Sequence, residues 1–391
     1  MSTNFLLLTE TIRGGEWIAT SRLINELART HSDYSFSLLA FGNKNDVELS
    51  GFKQKIFISH FKAKKPFKFG KSLLGDFFKI KMEIGKMQDK TKFDYVLSTN
   101  YLMLLSVFGT LLKNTKLIFL FHGLRSIPFR KLSDIDYRQI LTKILERCSW
   151  IYSDAITVPS RAAGDYIWNN VKWMAIKRKI FLVPNIVPTA FFVNKEEKYN
   201  IGHYNILYSG RLGKYKGLEN LIPAFYYLLN QIPQANLSIA YPSSSVELAI
   251  VNTIKSLVKK YGLEGKVEFV EDLTETELAG VYRRSDVLVL PSELEFAPLS
   301  VLESLAAGTP VIGTNVGNVG NLLQKIDPGL ILKDNSSDEI LKKLILFYKY
   351  GKEKKRILEK KSVLVASYFS EDKACREFKK VLNFSQNSIS H

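Results

Sequence analysis

Short runs of apolar residues alternate along the chain with longer segments in which apolar residues recur every three or four positions. Each short run in the first half is bounded by turn or polar residues, and these runs lie at residues 5–8, 35–41, 95–98, 117–121, 155–158 and 180–183. Runs of this length are typical of buried strands, and the periodic segments between them are typical of helices. Repeated strand–helix units predict an α/β fold with a mostly parallel sheet and helices on both faces.

A polar stretch at residues 194–203 interrupts this rhythm, and we interpret it as a linker between domains. The alternation then begins again, with predicted strands at residues 205–209, 237–240, 267–270, 287–290 and 311–313. Thr274 and Glu277 form a capping-box pattern that predicts the start of a helix between the third and fourth of these strands. The pattern therefore predicts two Rossmann-like domains in tandem, followed by an amphipathic helical segment from residue 368 onward.

Length and composition agree with two globular domains. The chain has 391 residues, of which 46% are hydrophobic and 24% are charged, which excludes disordered and fibrous classes. Cys148 and Cys375 are too few for a disulfide framework and favour a reducing compartment. We find neither a signal-peptide pattern nor an apolar run of the about 18 residues that a membrane span needs. We therefore expect a cytoplasmic protein that is soluble or peripheral to a membrane.

The most informative stretch follows the predicted strand 287–290 and ends at Gly308. Pro298 suits the first position of a helix, since its missing N–H has no intrahelical partner there in any case. The first free N–H groups then belong to Leu299 and Ser300. Where a strand ends against a helix N-terminus, an α/β sheet binds anionic ligands, so we predict a phosphate site here.

Two glutamates flank this predicted anion site. Glu303 lies five residues beyond Pro298, about 7.5 Å along the helix axis, where a carboxylate suits vicinal hydroxyls such as those of a ribose. Glu295 precedes the helix and suits hydroxyls at the other end of the ligand. Either residue alone is most simply a solvated glutamate, but the pair around an anion site favours ligand binding.

A second stretch follows the predicted strand 205–209. Gly210 and Arg211 come directly after the strand, and Lys216 precedes the next helix. The guanidinium fork of an arginine and the point charge of a lysine together suit a diphosphate. Lys214, in the same loop, is interpreted as solvated.

Two weaker signals lie in the first half. Gly14 and Gly15 follow the first strand and permit close approach of a ligand, but they do not form the G-x-G-x-x-G fingerprint of a dinucleotide-binding dehydrogenase. His122 follows the predicted strand 117–121, where a side chain points either at a ligand cleft or into a structural contact. The sequence leaves both readings of His122 open.

Together these motifs resemble the retaining GT-B glycosyltransferases of family 4, also called glycosyl transferases group 1. The likeness rests on Glu295 and Glu303 before the Ala-Gly-Thr-Pro-Val turn at 307–311, combined with the stretch 210–217. It covers most of the chain and is strongest over residues 207–312. It implies two Rossmann-like domains that face each other across a cleft. Residues 1–190 then bind the acceptor, residues 191–367 bind the nucleotide sugar, and the C-terminal helix 368–391 crosses back to the N-terminal domain.

The resemblance also implies roles for individual residues. Glu295 contacts hydroxyls of the donor sugar, Glu303 holds the ribose, and Arg211 and Lys216 hold the diphosphate. The loop of Gly14 and Gly15 closes on the diphosphate, and His122 lies beside the sugar. Donor binding thus falls on Gly14, Gly15, Gly210, Arg211, Lys216, Glu295, Pro298, Leu299, Ser300 and Glu303, with catalytic roles for Glu295, His122, Arg211 and Lys216.

Four positions depart from the common pattern of the family. Phe296 and Pro298 stand where glycines are usual, and Asn321 replaces a frequent glutamate. The acidic residue of the N-terminal glycine loop, Glu16, comes one place early. We expect these differences to affect the choice of sugar and the contacts with the acceptor.

The implied reaction moves a sugar from a nucleotide diphosphate, a UDP-sugar by resemblance, to a hydroxyl of a lipid-linked or glycan acceptor, with retained configuration. The setting is surface polysaccharide or glycolipid biosynthesis. No metal is expected, because the only Asp-x-Asp, at 134–136, lies outside the motifs. No cofactor is expected beyond the nucleotide sugar itself. The alternatives are a catalytically silent GT-B subunit that stabilises an active transferase, and, within the fold, an epimerase or a phosphorylase.

The net charge of +17 predicts attraction to polyanions. The region from Lys53 to Lys92 carries twelve lysines and three acidic residues, interleaved with phenylalanines. This mixture suits contact with an anionic membrane surface at the inner face of the cell membrane. A solvated lysine-rich face is the alternative, and nucleic-acid binding is disfavoured because no recognised motif accompanies the charge.

Overall fold

The computed structural model of the chain describes residues 2–9, 14–41, 52–58, 71–101, 115–123, 137–192, 203–243 and 248–387. The chain divides into two compact units. The first unit comprises Met1–Pro184 and Ala374–His391, and the second comprises Asn185–Lys373. The chain crosses between the units at residues 184–185 and 373–374, whereas the limits expected from the sequence lie at residues 190 and 367. The predicted linker lies almost wholly outside the described residues.

The first unit is built on a seven-stranded parallel sheet in the order β3-β2-β1-β4-β5-β6-β7. Its strands are β1 (Thr3–Thr9), β2 (Tyr34–Phe41), β3 (Phe52–Ile58), β4 (Tyr95–Ser98), β5 (Lys116–Leu120), β6 (Ala155–Val158) and β7 (Ile180–Leu182). Its helices include α1 (Gly14–Thr30), α2 (Lys71–Gln88), α3 (Tyr137–Tyr152), α4 (Arg161–Val171) and α5 (Met174–Lys179). The predicted α/β class and parallel sheet are confirmed for this unit.

Strand β1 is an interior strand of this sheet, between β2 and β4, and its side chains are buried on both faces. Residues 5–8 of this strand are completely buried. The ring of Phe5 stacks on Phe36 of β2 and on Tyr95 of β4, with centroids 4.7 and 5.1 Å apart. The sequence analysis missed β3, whose Phe-Lys-Gln-Lys start reads as part of the basic region. An edge strand has one open side, so it tolerates such charge.

The second unit repeats the architecture with six parallel strands in the order β10-β9-β8-β11-β12-β13. The strands are β8 (Tyr204–Ser209), β9 (Ala235–Tyr241), β10 (Val267–Glu271), β11 (Val287–Leu290), β12 (Val311–Thr314) and β13 (Ile331–Leu332). The helices are α6 (Leu218–Leu229), α7 (Leu248–Lys260), α8 (Glu275–Arg284), α9 (Leu299–Ala306), α10 (Val319–Ile326), α11 (Ser337–Tyr348) and α12 (Lys352–Ala366). The predicted strands and the tandem of two such units are confirmed; only the two-residue β13 was not predicted.

The strand order places a topological switch point between β8 and β11, where the connections turn from one side of the sheet to the other. Ligands of open α/β sheets bind at the carboxyl ends of the strands at such a point. Helix α8, which leads into β11, begins as predicted. The Thr274 side chain accepts from the Glu277 N–H, and the Glu277 carboxylate accepts from the Thr274 N–H at 2.9 Å.

The C-terminal helix α13 (Glu371–Asn387) joins the first unit from Ala374 onward. Its apolar stripe is buried, and the Tyr95 hydroxyl donates to the carbonyl of Leu382 at 3.5 Å. Phe384 also packs on Phe181 of β7, with ring centroids 5.0 Å apart. The predicted return of this helix to the N-terminal domain is thereby confirmed. Among the described residues, no helix combines the length and apolarity needed to cross a bilayer.

Candidate functional site

Two loops meet at the carboxyl ends of β8 and β11, directly at the switch point of the second unit. The amide of Glu293 donates to the carbonyl of Tyr215 at 2.8 Å, which joins the two loops through their backbones. Gly217 has φ 74°, and a Cβ atom at this position would lie 2.2 Å from the carbonyl oxygen of Pro291. Only glycine therefore permits this approach. Gly217 is required both because its backbone φ is positive and because any side chain would collide with Pro291.

The meeting of the loops brings together two of the predicted donor residues. Lys216 Nζ lies 2.5 Å from Glu295 Oε1, and both side chains are half-buried. The sequence analysis assigned the lysine to a diphosphate and the glutamate to sugar hydroxyls. In the structure these two charges pair with each other.

The loop that carries Glu295 is fixed from a neighbouring turn and from the start of the unit. The amide of Asn318 donates to the carbonyl of Phe296 at 2.9 Å, and the Asn185 side chain donates to the carbonyl of Ala297 at 3.0 Å. Gly317 has φ 54°, and a Cβ there would lie 2.3 Å from the Glu295 carbonyl oxygen. Phe296 is buried, so this departure from the family pattern adds to the core beneath the loop.

Helix α9 begins one residue later than the sequence analysis placed it. Pro298 is the N-cap, with an extended backbone at φ −65° and ψ 125°, and Leu299 is the first helical residue. The correction has a simple reason: the fixed φ of proline fits the N-cap as well as the first helical position. Pro298 offers no side-chain cap, so the first amides of the helix, those of Leu299 and Ser300, stay directed out of its N-terminus.

Glu303 is only 5% exposed, and it lies on the side of α9 that faces α8. The hydroxyl of Tyr282 lies 3.3 Å from Glu303 Oε2 and 2.9 Å from the Oγ of Ser209, at the end of β8. Neither Tyr282 nor Ser209 was among the predicted site residues. A tyrosine at helical spacing usually indicates core packing, so no sequence pattern indicated a polar role for Tyr282. For Ser209, the position at the end of a strand was a sign that it could contribute to the site.

Arg211 is exposed beside this buried network. Its carbonyl accepts a hydrogen bond of 3.0 Å from the buried hydroxyl of Tyr208, which fixes the backbone and leaves the guanidinium at the surface. Burial raises the pKa of Tyr208 above its ordinary value, and the negative charge of Glu295 raises it further. Tyr208 therefore stays a neutral donor at all ordinary pH values. Gly210, between the strand and Arg211, has φ 142°.

The remaining predicted residues belong to the first unit. Gly14 starts α1 with φ 79°, and Gly15 follows it. His122 follows β5, and its Nε2 lies 2.9 Å from the Oγ1 of Thr20 in α1. The Thr20 hydroxyl also donates to the carbonyl of Glu16 at 2.9 Å. These contacts identify Thr20 as a positioning partner of His122 that the sequence analysis missed.

Within the part of the chain that the structure describes, no group of three or more His, Cys, Asp or Glu side chains could hold a metal ion. The Asp-Ile-Asp stretch at 134–136 lies outside that part. The charged groups at the switch point are instead an arginine, a lysine and two carboxylates. This arrangement suits an anionic ligand that also carries hydroxyl groups.

Comparison with known proteins supports this interpretation of the second unit. The family model of glycosyl transferases group 1 matches residues 192–362. Mannosylfructose-phosphate synthase of Agrobacterium fabrum is 35% identical over 117 residues, which are 29% of this chain and 26% of that protein. D-inositol 3-phosphate glycosyltransferase of Corynebacterium glutamicum is 30% identical over 132 residues, which are 34% and 32% of the two chains. The matched segments thus span about a quarter to a third of these curated relatives.

Solved structures resemble the chain over nearly its whole length. Sucrose-phosphate synthase from Thermosynechococcus elongatus superimposes with a TM-score of 0.82 at 19% identity, over 97% of this chain and 98% of that one. Anabaena HepE in complex with UDP and glucose gives 0.74 at 15% identity, over 97% and 99%. Identities this low establish the fold alone. Residues 192–362 of the chain are therefore similar to the glycosyl transferases group 1 family, and the two parallel-sheet units have the GT-B fold.

Proposed function

We propose that the protein is a retaining glycosyltransferase that moves a sugar from a nucleotide diphosphate to a hydroxyl group. The observation that carries the proposal is the Lys216–Glu295 ion pair at the switch point of the second unit. It combines a phosphate-binding charge and a hydroxyl-binding charge at the place where α/β sheets bind ligands. The match of residues 192–362 to the family model of glycosyl transferases group 1 supports the same reaction class.

The donor side of the mechanism follows from charge. Loss of the diphosphate builds negative charge on its oxygens, so Arg211, Lys216 and the N-terminal amides of α9 stabilise the transition state more than the ground state. When the diphosphate binds Lys216, it replaces Glu295 as the partner of the lysine. The carboxylate of Glu295 can then accept hydrogen bonds from the sugar. Glu303 takes the ribose. The acceptor attacks from the side of the departing phosphate, which receives its proton.

We further propose UDP as the carrier and a lipid-linked or glycan acceptor, in surface polysaccharide or glycolipid biosynthesis. The solved Anabaena relative bound to UDP and glucose supports the choice of UDP. No metal and no cofactor beyond the nucleotide sugar is required, because cations of the chain itself neutralise the diphosphate. The roles of His122, Gly14 and Gly15 toward the donor rest on the family resemblance.

Peripheral attachment to the inner face of the cell membrane completes the proposal. Residues 59–70 of the region from Lys53 to Lys92 lie outside the described residues. In its described part, Phe78 and Met82 are exposed one helical turn apart on α2, and exposed Lys86 follows one turn later. Apolar and basic side chains on one helix surface suit an anionic leaflet.

A thermal-shift panel tests the donor site directly. UDP, GDP, ADP, CMP and a short DNA duplex are each added to the full chain and to the Arg211→Ala variant. A nucleotide at a hundred times its dissociation constant stabilises by about 2.7 kcal/mol, which such a panel detects. We expect stabilisation by UDP that the variant loses. Lys214→Ala is the matched control, because Lys214 is exposed in the same loop beside the Tyr215 ring.

The panel also separates the alternatives. Stabilisation by a different diphosphate would keep the reaction class and change the base. No response to any nucleotide would favour a catalytically silent subunit. Stabilisation by the duplex alone would contradict the transferase and indicate a nucleic-acid binder.

A further inference from the structure

Helices α4 and α5 of the first unit meet in a tight corner at residues 172–174. Helix α4 is followed by its C-cap, Lys172, which adopts the left-handed conformation at φ 51° and donates its N–H to the carbonyl of Trp168 at 2.7 Å. Trp173 is extended, and α5 begins at Met174. A residue in this conformation at the end of a helix turns the chain sharply.

The corner presents two large apolar side chains to solvent. Trp173 is 53% exposed and Met174 is 59% exposed, and their neighbours Lys172 and Ala175 are exposed as well. In α5 only Ile176 is buried. Single exposed apolar residues are common, but a tryptophan beside a methionine at a protruding corner is typical of a contact surface.

The chain segment that carries these two side chains contains cations and no acidic residue. No acidic residue occurs in the sequence between Asp165 and Glu196. The cations of the described part of this segment are Lys172, Lys177, Arg178 and Lys179. The ammonium group of Lys177 lies 5.3 Å from the ring centroid of Trp168, so it stays close to the corner and is held over an aromatic face.

A second exposed aromatic lies beside the far end of α5. The ammonium group of Lys179 donates to the carbonyls of Ile151 and Ser153, at 3.4 and 3.0 Å, which fastens the end of α5 to the end of α3. Tyr152, between these two acceptors, is 61% exposed. The surface therefore combines Trp173, Met174 and Tyr152 with several cations on a fixed framework; we name it the α4–α5 surface.

We propose that the α4–α5 surface binds an anionic lipid bilayer. Trp173 and Met174 enter the boundary between headgroups and acyl chains, and Lys172, Lys177 and Arg178 face lipid phosphates. Tryptophan and tyrosine favour this boundary because their rings are apolar and carry one polar atom. Charge complementarity selects an anionic partner, and a protruding corner enters a fluid surface without needing a matching pocket.

This proposal rests on the membrane attachment in the proposed function and locates it on a surface separate from the region from Lys53 to Lys92. It does not depend on the sugar chemistry. A nucleic acid and an acidic partner protein are the other occupants that cations and aromatics attract, and the experiment distinguishes them.

The test is sedimentation of the full chain with vesicles of phosphatidylcholine, alone or mixed with phosphatidylglycerol. We expect binding to the mixed vesicles only, weakened by salt, with a blue shift of tryptophan fluorescence. The double variant Trp173→Ala/Met174→Ala should bind about tenfold more weakly. Tyr226→Ala/Tyr227→Ala, an exposed aromatic pair on α6, is the matched control and should bind like the wild type.

Fold and donor site are checked in the same samples. The thermal midpoint of each variant without ligand shows that it folds, and its stabilisation by UDP shows that the donor site is intact. Trp173→Phe, which keeps an aromatic ring, should restore most of the vesicle binding. Loss of vesicle binding with unchanged UDP stabilisation supports the α4–α5 surface, whatever the sugar reaction proves to be.

Three results would overturn the proposal. The wild type binds neither kind of vesicle; the double variant binds mixed vesicles as well as the wild type does; or the chain binds a DNA duplex or soluble acidic protein and ignores lipid. Absence of a UDP response with intact vesicle binding would contradict only the transferase.

Discussion

Lys216 and Glu295 are 79 residues apart in the chain, yet Nζ and Oε1 are 2.5 Å apart at the switch point of the second unit. In this ion pair, the cation proposed to bind a diphosphate neutralises the carboxylate proposed to bind hydroxyl groups. Donor binding therefore requires an exchange of partners, in which the diphosphate displaces Glu295 from Lys216. The exchange makes nucleotide affinity and sugar transfer separable by mutation.

Glu295→Gln is expected to move these two properties in opposite directions. Without the competing carboxylate, Lys216 is released, and UDP binds about fivefold more tightly, the equivalent of about 1 kcal/mol for a half-buried pair. Sugar transfer falls by about a hundredfold, because a neutral amide accepts hydroxyl protons less strongly. Calorimetric titration with UDP and a transfer assay measure the two effects.

The control for this variant is Glu293→Gln, on the same loop. Its carboxylate accepts from the side chain of Asn335 at 3.1 Å rather than from Lys216. We expect little change in UDP affinity. Equal tightening by both variants would mean that general loop charge, and not the ion pair, sets the affinity.

Glu303 gives a prediction about the ribose. If its buried carboxylate binds the two ribose hydroxyls, UDP should bind about tenfold more tightly than 2′-deoxy-UDP, and Glu303→Ala should abolish that preference. Tyr282→Phe keeps the ring in place and removes only the hydroxyl near Glu303. It should lower the preference by a smaller factor and destabilise the fold by about 1 kcal/mol. If Glu303→Ala still prefers UDP over 2′-deoxy-UDP to the same extent, Glu303 does not bind the ribose.

Gly317→Ala is expected to unfold the loop that holds Glu295. The new Cβ would lie 2.3 Å from a backbone oxygen, so the loop has to shift as well as accept a strained φ. We expect a loss of more than about 2 kcal/mol in the free energy of unfolding, with loss of transfer. Denaturant titration measures the first effect.

Gly262→Ala is the control that introduces backbone strain at a positive φ without a collision of the new Cβ. Gly262 has φ 63°, and a Cβ there would meet no atom within 4 Å. This variant should lose only about 1 kcal/mol and keep its activity. Equal losses in the free energy of unfolding for Gly317→Ala and Gly262→Ala would show that collision with the Glu295 loop does not contribute to the destabilisation.

Asp327 provides a pH-dependent contribution to stability. Burial opposes its charge, but the N–H of Gly329 at 2.8 Å and the ammonium of Lys354 at 3.2 Å hold the pKa of its carboxyl below the usual value. Because the pKa is lower in the folded state, the stabilisation is present above the unfolded value of about 4 and is lost as pH falls through the folded pKa.

Asp327→Asn should therefore destabilise the protein by about 1 kcal/mol at neutral pH and by progressively less below about pH 4. Urea titrations across this range measure the difference from the wild type. Lys354→Gln should reproduce part of the loss, whereas Lys352→Gln, at the exposed start of the same helix, should not. A difference that is constant with pH would rule out the charge of Asp327 as its source.

Periodicity and strand-end chemistry predicted most of the fold and the positions of the site residues. Buried runs such as 5–8 and 287–290 are unambiguous because every side chain in them is apolar. Strand β3 was missed because lysines interrupt it, and the start of α9 was misplaced by one residue because proline suits two neighbouring positions.

Contacts between distant segments could not be predicted from the sequence. The pairing of Lys216 with Glu295 depends on β8 and β11 being neighbours in the sheet, which no local pattern specifies. The hydroxyls of Tyr282 and Thr20 sit at helical positions whose burial indicates core packing. Their polar role is recognised only in the structure, where Glu303 lies within hydrogen-bonding distance of Tyr282 and His122 within that of Thr20.

The position of α13 in the first unit has a consequence for the order in which the protein is made. A ribosome completes all seven strands of that sheet before residue 184, yet Phe378 and Leu382, which the core of the unit buries, are synthesised only after the whole second unit. The second unit has all its residues before then and is free to fold as the chain emerges. The first unit is therefore completed only after the second unit has been synthesised, and until residue 387 has left the ribosome its sheet exposes an apolar face that a chaperone can bind.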